Sequence, residues 1–256
     1  MWLVVQACVR GTAHEQMELP CQDACGVRRV TRGENEIVVA VISDGAGSAK
    51  HAEIGSRVVV DTLLRAVESD TVEYAAAQRP LVEKWFTAAR EALEQRGREM
   101  NCQLTDLACT LLLAVIWPQG VVLAGIGAGA WIVQTSADLV VPVWPCKGEY
   151  ANQCPFITSS DWIEDLAIET IQGDVLAVIG FTDGLEALAL NYRDRCAHAP
   201  FFQALLRLGE TKDETSRDET LAKSLQSADV TARTDDDKTL VLVWRESTLG
   251  GDETAG

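Results

Sequence analysis

The stretch VVAVISDGAGSAKHAEIGSRVVVDTLL, Val38–Leu64, organises the reading of the whole chain. A hydrophobic run ends at Ser43, and Asp44 and Gly45 follow. Beyond a turn of small residues, Ile54, Val58, Leu63 and Val67 recur at helix-like intervals, so the spacing predicts a helix over Ala52–Glu68. A buried strand, one carboxylate, a glycine turn and a helix can make a phosphate loop, a nucleotide site, a metal site or a tight corner. In the last case Asp44 would simply cap the helix.

The same pattern recurs. In VLAVIGFTDGLEALAL, Asp183 ends a strand-like run, precedes Gly184 and leads into an apolar helical pattern. Asp235, Asp236 and Asp237 stand directly before the strand KTLVLVW, and Asp23 lies in PCQDA, after the first strand and its loop. If these strands pack side by side, their carboxylates meet at one edge of the sheets. Clustered carboxylates repel unless protons or cations neutralise them. Hard divalent cations such as Mg²⁺ and Mn²⁺ prefer oxygen ligands, and two of them can share a water and lower its pKa. Glycine lets the backbone turn closely, so the Gly45 carbonyl can also face a metal. Taken singly, each aspartate reads as a capped or solvated turn; taken together they read as a metal site.

Competing motifs fail on spacing. GAGSAK lacks the interval of a phosphate loop. GIGAGA, Gly125–Ala130, leads into the strand-like WIV and not into a helix, which argues against a dinucleotide site. No G-x-S-x-G elbow is present, and His14, His51 and His198 show no zinc spacing.

Composition narrows the classes further. Hydrophobic residues make up 47% and charged residues 23% of 256, the balance of a globular protein. A net charge of −16 disfavours nucleic acid as a partner. The start MWLVVQACVR reads as a strand and not as a basic leader, and the apolar run Leu107–Ile116 is too short to span a membrane. A cytoplasmic protein without membrane contact is expected. Eight scattered cysteines, with only Cys21 and Cys25 close in sequence, fit reduced and mostly buried thiols better than disulfides or zinc.

Further strands are expected at Leu3–Val9, Ile37–Ile42, Cys109–Trp117, Val121–Ile126, Trp131–Gln134, Leu139–Val143, Leu166–Ile171, Val175–Phe181 and Thr239–Trp244. Pro118–Gly120 reads as a hairpin turn. Helices are expected over Pro80–Met100, Phe201–Leu208 and Thr220–Gln226, with Gly209–Glu219 as a charged connection. Two helices between early and middle strands, and two late ones, fit sheets with helices grouped outside them. No linker divides residues 1–246, and STLGGDETAG (247–256) reads as a disordered tail.

These segments, in this order, resemble the metal-dependent protein phosphatase 2C family, in particular its compact bacterial branch. The resemblance rests on GTAHEQMELPCQDAC, VISDGAGSAKHAEIGS, LACTLL, GEYANQCPFIT, FTDGLEALALN and TDDDKTLVL, and runs from Gly11 to Leu242. It implies an α+β fold, a four-layer αββα sandwich in which two antiparallel β-sheets are flanked by helix pairs. It implies two Mn²⁺ or Mg²⁺ ions, with Asp44 bridging both, the Gly45 carbonyl on one, Asp183 and Asp236 on the other, and Asp23 acting directly or through water. The implied chemistry is hydrolysis of phosphoserine or phosphothreonine by a hydroxide bridging the metals, with no phosphoenzyme. The implied partners are a phosphoprotein substrate, a cognate Ser/Thr kinase and a von Willebrand A-domain protein, with the chain itself a monomer.

Three departures stand out. Ala128 and Ala187 occupy positions where family members often carry third-metal aspartates. The usual phosphate-binding arginine has no match before Asp23, leaving His14 or Arg10 as candidates. The alternative is therefore a weak or inactive pseudophosphatase that binds a phosphoprotein or partner kinase; a hydrolase of small phosphoesters is a third reading.

Overall fold

The computed structural model describes residues 1–71, 79–146, 154–206 and 213–246. The chain runs β1 (Trp2–Val9), α1 (Thr12–Gln16), β2 (Ala24–Arg32), β3 (Asn35–Ser43), α2 (Ala52–Ser69), α3 (Arg79–Met100), β4 (Leu111–Trp117), β5 (Gly120–Ile126), β6 (Ala130–Thr135) and β7 (Leu139–Val143). It continues through α4 (Trp162–Asp165), β8 (Ala167–Gln172), β9 (Val175–Phe181), α5 (Glu186–Ala189), β10 (Leu190–Asn191), β11 (Cys196–Ala197), α6 (Ala199–Leu206), α7 (Glu214–Leu225), α8 (Ala228–Thr231) and β12 (Lys238–Arg245).

Two five-stranded sheets form, in the orders β1-β12-β9-β6-β7 and β2-β3-β4-β5-β8. Every pairing within them is antiparallel. Central strands are buried on both faces, which explains their unbroken apolar runs. In β4, Leu111, Leu113 and Val115 pack toward α2 and α3, while Leu112, Ala114 and Ile116 face the other sheet. β12 divides the same way: Leu240, Leu242 and Trp244 join Leu221 and Leu225 of α7, and Val241 and Val243 point between the sheets. The period of two thus sorts side chains between an outer and an inner core layer. The result is the expected αββα sandwich.

Both long helices present one apolar face to the second sheet. Val59, Val60, Leu63, Leu64 and Val67 of α2, with Val82, Trp85, Phe86, Ala89 and Leu93 of α3, form one cluster with it. Asp70 ties the two together: its Oδ2 accepts from Trp85 Nε1 at 3.1 Å and from Lys84 Nζ at 2.9 Å.

Four expectations need correction. β2 was not expected as a strand. It is a charged edge strand, with Arg28 and Arg29 in solvent, and so lacks the apolar run that marks the interior strands. β4 begins at Leu111, because Cys109 instead bridges to Gly45. α7 starts at Glu214, inside the expected connection: Asp213 Oδ2 caps it by accepting from Ser216 N at 2.8 Å. Its charges cover a solvent face, but Arg217 is buried and stacks 5.7 Å from the Trp244 ring. The apolar helical pattern after Asp183 amounts to one 3-10 turn and the single turn of α5, and Leu190–Asn191 then turns to strand. The expected tail, the end of the helix at 207–208, residues 209–212 of the connection and all of GEYANQ (148–153) lie outside the described residues. Among the described residues, no helix is long and apolar enough to cross a membrane.

Candidate metal centre

Strand order brings the aspartates together. β2 and β3 are antiparallel with Ala24 opposite Ser43, so Asp23 and Asp44 flank one end of that pair. β9 and β12 are antiparallel with Phe181 opposite Leu240, so Asp183 and Asp236 flank the matching end of theirs. Each sheet thus contributes two carboxylates to the same end of the sandwich. Neither Asp44 nor Asp183 caps a helix: the residue before α2 is His51, and Thr182 precedes the 3-10 turn. The capped-corner reading is thereby excluded.

Hydrogen bonds fasten the two sheets together here. Thr182 Oγ1 donates to Asp23 Oδ2 at 2.8 Å, and Thr239 N donates to Thr182 Oγ1 at 3.1 Å. Thr110 Oγ1 accepts from Asp44 N at 2.9 Å, and the Thr110 N–H returns a bond to Asp44 O at 2.8 Å. Gly45 N donates to Gln22 O at 3.1 Å. Close approach requires the glycines: a Cβ on Gly45 would lie 2.7 Å from Ala52 O, and one on Gly184 only 1.9 Å from Asp237 O.

Of the three consecutive aspartates, two divide the work. Asp236 keeps solvent contact, whereas Asp237 is only 2% exposed. The Asp237 carboxylate accepts from Gly11 N and from Gln22 N, both at 2.6 Å, and lies 2.9 Å from His14 Nδ1. It therefore clamps α1 and the Asp23 loop against the start of β12. Position in sequence did not distinguish Asp237 from its neighbours; only the fold turns it inward.

The electrostatics are those of carboxyls crowded together out of water. Burial, then the charges of Asp23, Asp183 and Asp236, hold the Asp44 carboxyl well above the usual range. Burial pushes Asp23 up to about 7 against the opposing hydrogen bonds of Thr239 and Thr182, with Asp237 and Asp183 adding to the rise. Asp236 is also raised, by loss of water around its carboxyl and by the Asp237 charge, while His14 opposes the shift. Asp23 Oδ1 is buried and has no hydrogen-bond partner. No Lys or Arg among the described residues pairs with Asp23, Asp44 or Asp236. Buried carboxyls crowded by like charge need protons or cations to neutralise them, so this donor set fits hard divalent ions. Among the described residues, no three such side chains converge on one point as a ready-made cage.

His14 and Arg10 separate. His14 stands against the cluster, whereas Arg10 is exposed, donating to Leu19 O at 3.3 Å and lying 4.0 Å from Glu15. Ala128 is buried at the Gly127–Gly129 turn and Ala187 is exposed. Beside Ala128 stands a carboxylate that sequence reading missed, Glu186, which is 3% exposed. Its Oε1 accepts from Gly129 N at 2.9 Å, and its Oε2 accepts from the Tyr192 hydroxyl. The one available signal was an acid set in the apolar pattern LEALAL. Nearby, burial and the Asp183 charge push the Cys154 thiol up to about 12.

A family model described as protein phosphatase 2C matches residues 10–226. The Escherichia coli (strain K12) protein named serine/threonine-protein phosphatase 3 is 33% identical over 252 residues, covering 96% of this chain and 99% of that one. Serine/threonine phosphatase Stp1 from Staphylococcus aureus superposes with a TM-score of 0.66 at 15% identity, covering 96% of each chain. PppA from Pseudomonas aeruginosa gives a TM-score of 0.62 at 15% identity, covering 95% of this chain and 97% of that one. At such identity the two structures speak for the fold alone. The family model and the E. coli relative add sequence evidence over nearly the same span, and the chain belongs to the protein phosphatase 2C family.

Proposed function

We propose that this chain, over residues 1–246, is a metal-dependent protein serine/threonine phosphatase of the cytoplasm. The observation that supports it is the four-carboxylate cluster, Asp23, Asp44, Asp183 and Asp236, drawn from both sheets and lacking a cationic partner on three of its members. In this reading Asp44, the Gly45 carbonyl, Asp183 and Asp236 would hold two Mn²⁺ or Mg²⁺ ions, Asp44 serving both, with Asp23 acting directly or through water. Two such ions supply Lewis acidity and a water of lowered pKa. The protein's own residues do the placing. Asp237 holds the Asp23 loop and α1 in register, and Thr182 orients Asp23. His14, beside Asp237, is the nearer of the two phosphate-binding candidates, with Arg10 left at the rim. Family resemblance supports a phosphoprotein substrate and a cognate Ser/Thr kinase and von Willebrand A-domain protein as partners.

Hydrolysis of p-nitrophenyl phosphate and of a phosphoserine peptide tests the proposal. Mn²⁺-dependent turnover should stand well above the Asp44→Ala background; equal rates would sink it. Ala128 and Ala187 support the second reading, a pseudophosphatase that binds phosphoprotein or kinase without efficient turnover, because methyl groups cannot ligate a third ion. Peptide binding without turnover in the parent chain, with turnover gained in Ala128→Asp, would select that reading.

A further inference from the structure

The hairpin of β10 and β11 runs against the charge balance of the chain. Acidic side chains outnumber basic ones by 38 to 22, yet its loop, residues 192–195, carries Arg193 and Arg195. Both are exposed, and among the described residues neither forms an ion pair. Asp194, the one acid of the loop, folds back on the turn. Its Oδ2 accepts from Asn191 Nδ2 at 2.7 Å, and its N–H donates to Asn191 Oδ1 at 3.1 Å. Both guanidinium groups are thus left without a carboxylate partner.

The hairpin is braced, and its braces lead to the carboxylate cluster. Leu190 pairs with Ala197 and Asn191 with Cys196, and β11 lies against β7. Arg195 Cζ sits 5.1 Å from the centre of the Trp144 ring, which meets the Tyr192 ring edge-on at 5.5 Å. The Tyr192 hydroxyl donates to Glu186, which stands three residues beyond Asp183. Stacking fixes the plane of the Arg195 guanidinium and leaves its N–H edge for a ligand. The Arg195 backbone has a φ of 49°, a left-handed conformation that glycine or asparagine usually takes, so the turn itself is no reason for an arginine. An extended peptide advances about 3.3 Å per residue, so one whose phosphoresidue is seated at the cluster reaches the hairpin within about six residues.

We propose that Arg193 and Arg195 are specificity-determining residues that read acidic side chains flanking the phosphoserine or phosphothreonine of a protein substrate. Arginine forks pair with carboxylates through two N–H groups, which gives direction as well as charge. The net charge of −16 repels an acidic peptide from the chain as a whole, so a preference for one requires a local basic feature of this kind. Phosphate is the other anion that such forks take, and the test separates it from the flanks. The effect on turnover rests on the phosphatase reading; the effect on peptide binding does not.

The test uses the full Mn²⁺-loaded chain and three phosphoserine peptides of equal length, whose flanks carry glutamate, glutamine or lysine. Parent kcat/KM should be highest with glutamate flanks, through a lower KM. The ratio of the glutamate to the glutamine peptide cancels any general loss of activity in a variant. An exposed ion pair is worth up to about fivefold, so Arg193→Gln with Arg195→Gln should lower that ratio by about fivefold or more. Arg193→Glu with Arg195→Glu should reverse the preference toward lysine flanks, which a merely structural role would not do. A parent ratio near one, or a ratio untouched in the glutamine pair of substitutions, overturns the proposal. So does an equal loss on all three peptides and on p-nitrophenyl phosphate, which would assign the arginines to the phosphate. A chain with no Mn²⁺-dependent p-nitrophenyl phosphate turnover defeats the phosphatase reading. Fluorescence anisotropy of the labelled peptides on that chain, judged by the same ratios of affinity, then decides the role of the arginines.

Discussion

The carboxylate end of the sandwich and the neighbouring corner around Ala128 carry acids of opposite character. At the first, burial and neighbouring carboxylates raise Asp23, Asp44 and Asp236, and Asp23 Oδ1 is buried without a partner. At the second, both oxygens of Glu186 are used, by the Gly129 N–H and the Tyr192 hydroxyl. The difference teaches how to separate a ligand from a strut. A buried carboxylate whose lone pairs are spent on the protein holds a turn in place; buried carboxylates that press on one another invite a cation.

Substitutions can break or sharpen this contrast. The largest effect belongs to Asp44→Ala, which should lower Mn²⁺-dependent turnover by about a hundredfold or more, as losses of electrostatic stabilisation do. Glu186→Gln, made in parallel, should stay within about tenfold of the parent, since it removes no ligand. Equal losses would erase the distinction. Next comes Asp237→Ala, which leaves the Gly11 and Gln22 amides unpaired and should cost about 2 kcal/mol in a urea melt. Lowered turnover with little change in stability would instead place Asp237 among the ligands.

A pH series separates the regions without changing the fold. The folded-state pKa of Asp23 is raised to about 7 from 3.8, so the folded chain binds its proton more tightly than the unfolded chain. Its contribution to stability is therefore full below about pH 4 and is lost as pH rises to about 7. In the metal-free protein, Asp23→Asn should raise the melting temperature more at pH 8 than at pH 4.5. Saturating Mn²⁺ should shrink or reverse that gain, because the parent then has a cation for its charge. A gain independent of pH would refute the assignment. The smallest effect is that of Glu186→Gln on stability, about 1 kcal/mol for one hydrogen bond of altered polarity.

Much of the fold was legible residue by residue. Interior strands such as Leu111–Trp117 and Val175–Phe181 announce themselves because burial on both faces demands unbroken apolar runs. Ala24–Arg32 was missed for the converse reason: an edge strand keeps its charges, and its partner is what makes it a strand. The start of α7 was missed because charged residues at a solvent face look the same in a helix and in a loop. In the site, Asp23, Asp44, Asp183 and Asp236 were legible from their places at strand ends. Asp237 and Glu186 were not, since an acid's neighbours are invisible in one dimension.

The amino-acid sequence by itself determined where the interior strands and the two long helices lie, that the site aspartates stand at strand ends, and which glycines follow Asp44 and Asp183. Those are local properties, written in period and composition. Only the tertiary structure decided that the two strand pairs end at the same face, that Asp237 turns inward as a clamp, and that Glu186 is spent on the Gly129 turn and Tyr192. Those facts are distances between residues remote in the chain, set by strand order and register, and the polypeptide acquires them only when both sheets close over one core.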